Sequence, residues 1–139
     1  MVVGRGPADG APDLTSGRAG IMNPDILSVT TQDPADGIRV LSVAGEIDHD
    51  SVEVLRAAVE QALADGRDRL VADLSAVPFC DSGGLSLFVE THRRTTARGG
   101  WLRLAGPQPS VRFVLDVANL DGYLSVHPTL GEALPPAGE

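Results

Sequence analysis

Apolar and polar residues alternate over residues 25–31, with Ile26, Ser28 and Thr30 set against Leu27, Val29 and Thr31, and this period of two predicts a strand. Residues 38–43, rich in β-branched side chains and leucine, predict a second strand. The run Asp33-Pro34-Ala35-Asp36-Gly37 between them is turn chemistry, so the two read as a hairpin. The period then changes. Val52, Leu55, Val59 and Leu63 recur at helical spacing behind Asp50-Ser51-Val52-Glu53, which has the form of a capping box, and Gly66 supplies the stop. Residues 70–74 form a short strand, followed by a loop that holds Pro78. A second helix opens near Asp81-Ser82, with Leu85, Phe88, Val89 and His92 as its apolar stripe and Gly99-Gly100 at its end. Residues 101–105 are a further strand. Gly106, Pro107 and Pro109 break it, Ser110 stands as a cap, and Val111, Val114, Leu115 and Ala118 define a third amphipathic helix. Residues 123–126 read as an edge strand and residues 129–134 as a short helix.

The resulting order is β-β-α-β-α-β-α-(β)-α. Strands that alternate with helices imply a largely parallel sheet with right-handed crossovers, and the opening hairpin adds an antiparallel edge. The expected class is therefore α/β: a mixed, mostly parallel β-sheet with an N-terminal β-hairpin and helices packed on it. Residues 1–24 contain five Gly and three Pro and show no hydrophobic period, so they read as a flexible tail. The domain is expected over residues 25–134, with a second Pro/Gly-rich end at 135–139.

Charge narrows the chemistry. The 139 residues carry eleven basic side chains, all of them Arg, against nineteen acidic ones, for a net charge of −8. Without Lys there is no Walker-A phosphate loop and no Schiff-base enzyme. So acidic a chain repels a phosphate backbone and shows no basic stripe interleaved with aromatics, so no nucleic-acid partner is expected. The single Cys80 excludes an internal disulfide and a thiolate-rich zinc site. His49, His92 and His127 are spaced in no ligand pattern, and no metal or cofactor is expected. There is no apolar run of membrane-spanning length and no apolar signal core at the N-terminus, so the expectation is a cytoplasmic protein with no membrane association.

The segment Pro78-Phe79-Cys80-Asp81-Ser82-Gly83-Gly84-Leu85 is where function is expected to lie. A strand ends, a loop follows, and two glycines lead into a helix with Ser82 in its first turn, leaving the hydroxyl open to an incoming protein. Free backbone N–H groups and the positive end of the helix dipole would lie beside it and would tolerate a phosphate there. Such a phosphate adds about −1.5 to −2 charges next to Asp81 and would repel an acidic or apolar partner. The plainer alternative is that Asp81 or Ser82 is only a helix cap and the glycines serve a tight turn. Asp-Ser-Gly-Gly is also similar to the run around the nucleophile of chymotrypsin-like proteases. Here Cys80 and Leu85 depart from that pattern, the chain is too short for two barrels, and only His49 falls near enough to suggest a base.

Two motifs carry a stronger resemblance. Gly45-Glu46-Ile47-Asp48-His49 after the second strand, together with Phe79-Cys80-Asp81-Ser82-Gly83-Gly84-Leu85 before the second helix, resembles the STAS domain, and more narrowly the bacterial anti-sigma factor antagonists. The similarity runs from about residue 26 to 134 and includes Leu70-Val71-Ala72-Asp73-Leu74-Ser75 and Asp121-Gly122-Tyr123-Leu124. The resemblance implies a non-catalytic binding switch. When unphosphorylated it binds an anti-sigma factor, commonly a serine-protein kinase, and so regulates sigma-factor-dependent transcription. Phosphorylation by that kinase ends the interaction, and a metal-dependent serine phosphatase resets it. The phosphorylated serine of the family follows the motif Asp directly, which carries over to Ser82. The second Ser or Thr common at the next position is Gly83 here. Asp48, Asp81, Ser82, Gly83 and Gly84 are the expected partner-binding set, with Glu46 held more weakly. An alternative use of the same fold is a non-catalytic scaffold module in a stress-sensing or transporter-associated complex.

For the remaining residues the pattern leaves choices open. Asp48 or Asp50 either caps the first helix or meets basic groups of a partner. Phe113 and Val117 lie off the main stripe of their helix, as core flank or as partner surface. Cys80 reads as a small packing residue, Trp101 as core or rim, and Arg93, Arg94 and Arg98 as a solvated face, with an i,i+4 pair from Glu90 to Arg94.

Overall fold

The computed structural model describes residues 20–23 and 27–135. Six strands form one sheet in chain order: β1 (Gly20–Asn23), β2 (Leu27–Ala35), β3 (Ile38–Gly45), β4 (Arg69–Ala76), β5 (Trp101–Ala105) and β6 (Ser125–His127). The pairings β1–β2 and β2–β3 are antiparallel, and β3–β4, β4–β5 and β5–β6 are parallel. Each parallel step is bridged by a helix: α1 (Val52–Ala64), α2 (Ser82–Ala97) and α3 (Pro109–Val117), with a short α4 (Leu130–Ala133) after β6. This is the expected mixed α/β sheet with its opening hairpin. Gly37, at a φ of 75°, makes the hairpin turn. The sheet begins at Gly20, inside the segment that composition assigned to a tail, because β1 is defined by pairing with β2 and four residues are too few to display a period. The rest of residues 1–24 lies outside the described residues, as do residues 136–139.

The period-two pattern puts Leu27, Val29, Leu41, Val43, Leu70, Ala72, Leu74, Leu102 and Leu104 on one face of the sheet, where α1, α2 and α3 cover them in a single core. Val40, Val71 and Ala105 face the other way and meet Ala133, with Leu130 and Leu134 beside it. The stripe of α1 is as expected, with Val52, Leu55, Val59 and Leu63 buried. On α2 the buried face is rotated from the expected one. Gly84, Leu87, Phe88, Thr91 and Thr95 carry it together with Leu85, whereas Val89 and His92 flank it. Thr95 can take a core position because its hydroxyl donates to the carbonyl of Thr91 one turn earlier, whereas the buried Thr91 hydroxyl has no hydrogen-bond partner among the described residues.

Three local expectations are corrected. Ser110 does not cap α3. Gln108 precedes the helix, Pro109 opens it where a missing N–H costs nothing, and Ser110 lies within the first turn. The edge strand starts at Ser125 because residues 121–124 form a turn in which the amides of Tyr123 and Leu124 both reach Leu120 O, and Leu124 anchors that turn in the core. The arginines of α2 are not merely solvated. Arg94 pairs with Glu60 of α1 at 2.5 Å, closer than its 3.9 Å approach to Glu90, and Arg98 donates to Leu63 O.

Arg39, whose side chain is only 12% exposed, ties the hairpin to the end of α1 through Asp33 at 2.7 Å and Asp65 at 2.9 Å. Hydrogen bonding to Arg39 holds both carboxyls below their ordinary value of 3.8. A carboxyl held low in the folded chain takes up its proton more readily when unfolded. Its stabilising contribution is therefore complete above the unfolded value and is lost as pH falls through the folded one. The urea midpoint should fall from about pH 5 downward, and Arg39→Met should make that fall shallower while lowering the midpoint at neutral pH. An unchanged acid limb in the variant would show that these pairs do not set it.

Candidate functional site

β3 and β4 lie side by side and parallel, so the loops that leave their carboxyl ends emerge together. The two loops are joined. The Ile47 N–H donates to Phe79 O at 2.9 Å and the Asp81 N–H donates to Ile47 O at 3.0 Å, a one-residue parallel bridge between Ile47 and Cys80. Both bridging side chains are buried. Gly45, at a φ of 113°, makes the bend that turns the first loop across the second, a conformation that L side chains rarely adopt. The consequence is that the two sequence motifs, more than thirty residues apart, form one surface.

Asp81 is the N-cap of α2. Its backbone is extended, its Oδ1 accepts the amides of Gly83 at 2.9 Å and Gly84 at 3.2 Å, and its carbonyl accepts the amide of Leu85. Ser82 follows as the first helical residue. It is exposed, and its hydroxyl has no hydrogen-bond partner among the described residues. Here one expectation changes. The amides of Gly83 and Gly84, expected to be free for a phosphate, are already bonded to the Asp81 carboxylate. A phosphoryl group on Ser82 would add negative charge beside a carboxylate rather than neutralise a vacant helix end.

Gly84 is buried beneath this surface. A Cβ on it would stand 2.5 Å from Cys80 Sγ and 2.7 Å from Ile47 Cγ2, so its absence of a side chain lets α2 seat on the loop bridge. Gly83 is half-buried, and a Cβ there would meet only Asp81 Oδ1, at 3.2 Å. The expected partner-binding set thus separates by depth: Asp48, Asp81, Ser82 and Gly83 reach the surface, and Gly84 supports them from below.

The capping box expected at α1 is replaced by a different arrangement. Ser51 is fully buried; its hydroxyl donates to Glu46 O at 2.8 Å and accepts from the Asp48 N–H at 2.9 Å, while Glu53 pairs with Arg56. The capping falls to Asp48, whose Oδ1 accepts the amides of Asp50 at 3.0 Å and Ser51 at 2.9 Å. The Ser51 amide first, with the Asp50 amide, holds the Asp48 carboxyl below its ordinary value. Asp48 is therefore ionised and fixed in orientation. Asp50 sits with the exposed ring of His49 at 3.2 Å. No arginine pairs with Asp48 or Asp81 among the described residues, so the rim around Ser82 is acidic.

Other chemistry is absent from this surface. The Cys80 thiol is pushed up to about 12, by burial first and by Asp81 second, and is not a nucleophile at neutral pH. None of the three histidines bonds to Ser82: His49 lies against Asp50, His92 packs edge-on against Tyr123 and His127 bonds to Ser125. Sequence reasoning missed Ser51 as the post that supports the first loop, because a serine at a helix start reads as a cap. It also missed the exposure of Phe79, which only the bridge geometry decides.

Comparison with known proteins places these features in a family. The STAS domain model matches residues 31–133. The anti-sigma-F factor antagonist RsfB of Mycobacterium tuberculosis is 41% identical over 71 residues, a match that spans 51% of this chain and 57% of that protein, little more than half its length. A solved anti-sigma factor antagonist from Mycobacterium paratuberculosis is 33% identical, with 80% of this chain and 93% of that one covered at a TM-score of 0.71. The Bacillus cell fate determinant SpoIIAA in its phosphorylated form is 27% identical, with 76% and 95% covered at a TM-score of 0.61.

The two glycines of the site should respond differently to a methyl group. Gly84→Ala forces a shift against Ile47 and Cys80 and is expected to destabilise by about 1–3 kcal/mol in urea unfolding. Gly83→Ala gains helix propensity and should be neutral or slightly stabilising. Equal effects at the two positions would contradict the packing described.

Proposed function

The chain belongs to the STAS domain family, and from that membership we propose that it is an anti-sigma factor antagonist switched by phosphorylation of Ser82. The observation that carries this reading is the exposed, unbonded Ser82 hydroxyl at the start of α2, directly after the fixed Asp81 carboxylate and on a segment bridged through Ile47 to the loop that carries Asp48. In the unmodified state this surface is acidic but compact. A partner with basic groups opposite Asp48 and Asp81 would be drawn to it, and the glycine at position 83 lets it approach closely. That partner is an anti-sigma factor, and its capture frees a sigma factor for transcription.

A serine-protein kinase, in this reading the anti-sigma factor itself, transfers the terminal phosphoryl group of ATP to Ser82 Oγ. The Oγ–P bond forms as the bond to ADP breaks and the hydroxyl proton leaves. The added charge of about −1.5 to −2 has no free amide from Gly83 or Gly84 to meet it. It therefore projects toward the partner and ends the interface by charge and bulk. Hydrolysis by a serine phosphatase restores the hydroxyl. The antagonist contributes no catalytic group and acts in the cytoplasm; no helix among the described residues is long and apolar enough to cross a membrane.

Ser82→Asp should abolish binding to a purified anti-sigma factor while the melting curve stays that of the unmodified chain. Ser82→Ala should bind constitutively. Tight binding by the Asp variant would overturn the switch, as would native protein whose Ser82 is unmodified under every growth condition when its phosphopeptides are mapped.

A further inference from the structure

Among the described residues, four large apolar side chains remain in solvent: Phe79 at 46%, Phe113 at 67%, Val117 at 66% and Tyr123 at 47% exposed. Tyr123 has a partner in the fold, the edge of His92 with ring centroids 4.8 Å apart. The other three belong to neither of the two core clusters. Phe113 and Val117 are one turn apart on α3, and Ser110 is three residues before Phe113, so all three share a stripe of that helix. The buried residues Val111 and Leu115 lie on the nearly opposite face of the helix, so this stripe faces away from the core. The Ser110 hydroxyl donates to Pro78 O at 2.7 Å, and Gln108 Nε2 donates to Ser75 O at 3.0 Å. These bonds fasten the first turn of α3 to the loop whose next residues are Phe79, Cys80, Asp81 and Ser82. The exposed stripe of α3 therefore runs into the phosphorylation surface and is not an isolated patch.

We propose that Phe79, Phe113 and Val117 are the apolar half of the surface that the anti-sigma factor covers, and that this partner presents an apolar face bordered by Arg or Lys. The inference rests on the reading of the chain as an anti-sigma factor antagonist and adds the anchor that gives the complex its affinity. Two arguments fix the occupant. Charge is the first. Ser82 follows Asp81, and the loop bridged to that segment carries Asp48 and Asp50, with no arginine pairing to any of them among the described residues, and the chain carries a net −8. A second copy docked through the same face would bring those carboxylates together, whereas a basic-rimmed partner neutralises them. Division of labour is the second. The acidic rim selects the partner and is sensitive to phosphate; an exposed aromatic on a rigid helix supplies desolvation energy that charges do not. Phosphorylation at the junction then opposes the charged half and leaves the apolar half too small to hold alone.

The test uses the full chain and each serine-kinase-type anti-sigma factor encoded by the source genome, purified and titrated in turn by calorimetry. Phe113→Ser and Val117→Ser should each weaken the complex by about tenfold or more, with unchanged melting curves, and Phe113→Arg should weaken it further. The same substitutions on α3 beyond the stripe, such as Arg112→Ser, should change it little. Binding lost in Ser82→Asp but unaltered in the Phe113 and Val117 variants overturns this proposal and leaves the antagonist reading standing. An absence of binding to every such factor overturns both. Sedimentation that finds a dimer dissolved by Phe113→Ser would instead make a second copy the occupant, and would overturn the assignment to the anti-sigma factor.

Discussion

Two backbone hydrogen bonds, one on each side of Ile47, hold together everything that gives this surface its meaning. They join the loop after β3 to the loop before α2, and they exist because the two parallel strands end at the same level of the sheet. Ordinary sheet physics stops at β3 and β4, yet the bridge carries the pairing a further residue, between Ile47 and Cys80. Gly84 can then seat α2 directly on the bridge, and Asp81 is delivered at the N-cap position with its carboxylate aimed at the helix amides. Once these are set, Ser82 has no freedom to turn inward. A serine in first-turn geometry, preceded by a committed cap and followed by a glycine, points its hydroxyl to solvent.

How much of this was legible depended on how local the determinants are. The hairpin, the three crossovers and the buried stripe of α1 follow from period and from turn residues, because nothing in their tertiary setting opposes the local preference. The stripe of α2 is rotated because Thr91 and Thr95 pack inward, Thr95 with its hydroxyl satisfied by its own helix, and hydropathy alone ranks Val89 above them. The capping at α1 shifted for a similar reason. Both Asp48 and Ser51 are competent caps, and only the burial of Ser51 decides that it props the loop and leaves the amides to Asp48. The family resemblance placed Ser82, Asp81 and Asp48 together; the geometry adds that the amides near Ser82 are already occupied. Phe113 and Val117 were ambiguous by pattern because a large apolar side chain off the main stripe of a short helix is buried only if another element covers that side, and here they are exposed.

The division of the sheet's two faces also has a functional side. Three helices pack on one face and only α4 on the other, so the site sits at one edge of the thick layer, where α2 and α3 both start. The ion pairs that cross between elements, among them Arg39 with Asp33 and Asp65, Arg56 with Glu90, and Arg94 with Glu60, lie on the β2–β3 hairpin and on α1 and α2. Their elements are thereby locked without placing an arginine beside Asp48 or Asp81. Structural cations and the acidic rim are kept apart, and the rim keeps its charge for an outside partner.

The order of strands in space repeats their order in the chain, with each parallel neighbour reached over a single helix. Contacts of this kind are short in sequence, and loop closure between them costs little entropy. As the polypeptide lengthens during synthesis, each new strand therefore finds its docking edge already formed by the one before it. The hairpin of β2 and β3 serves as the template, and the surface around Ser82 is complete as soon as β4 and the start of α2 are in place. The stripe on α3 is laid against that finished surface afterwards. A chain built this way completes the loop bridge and the exposed Ser82 before the stripe of α3 is added to them.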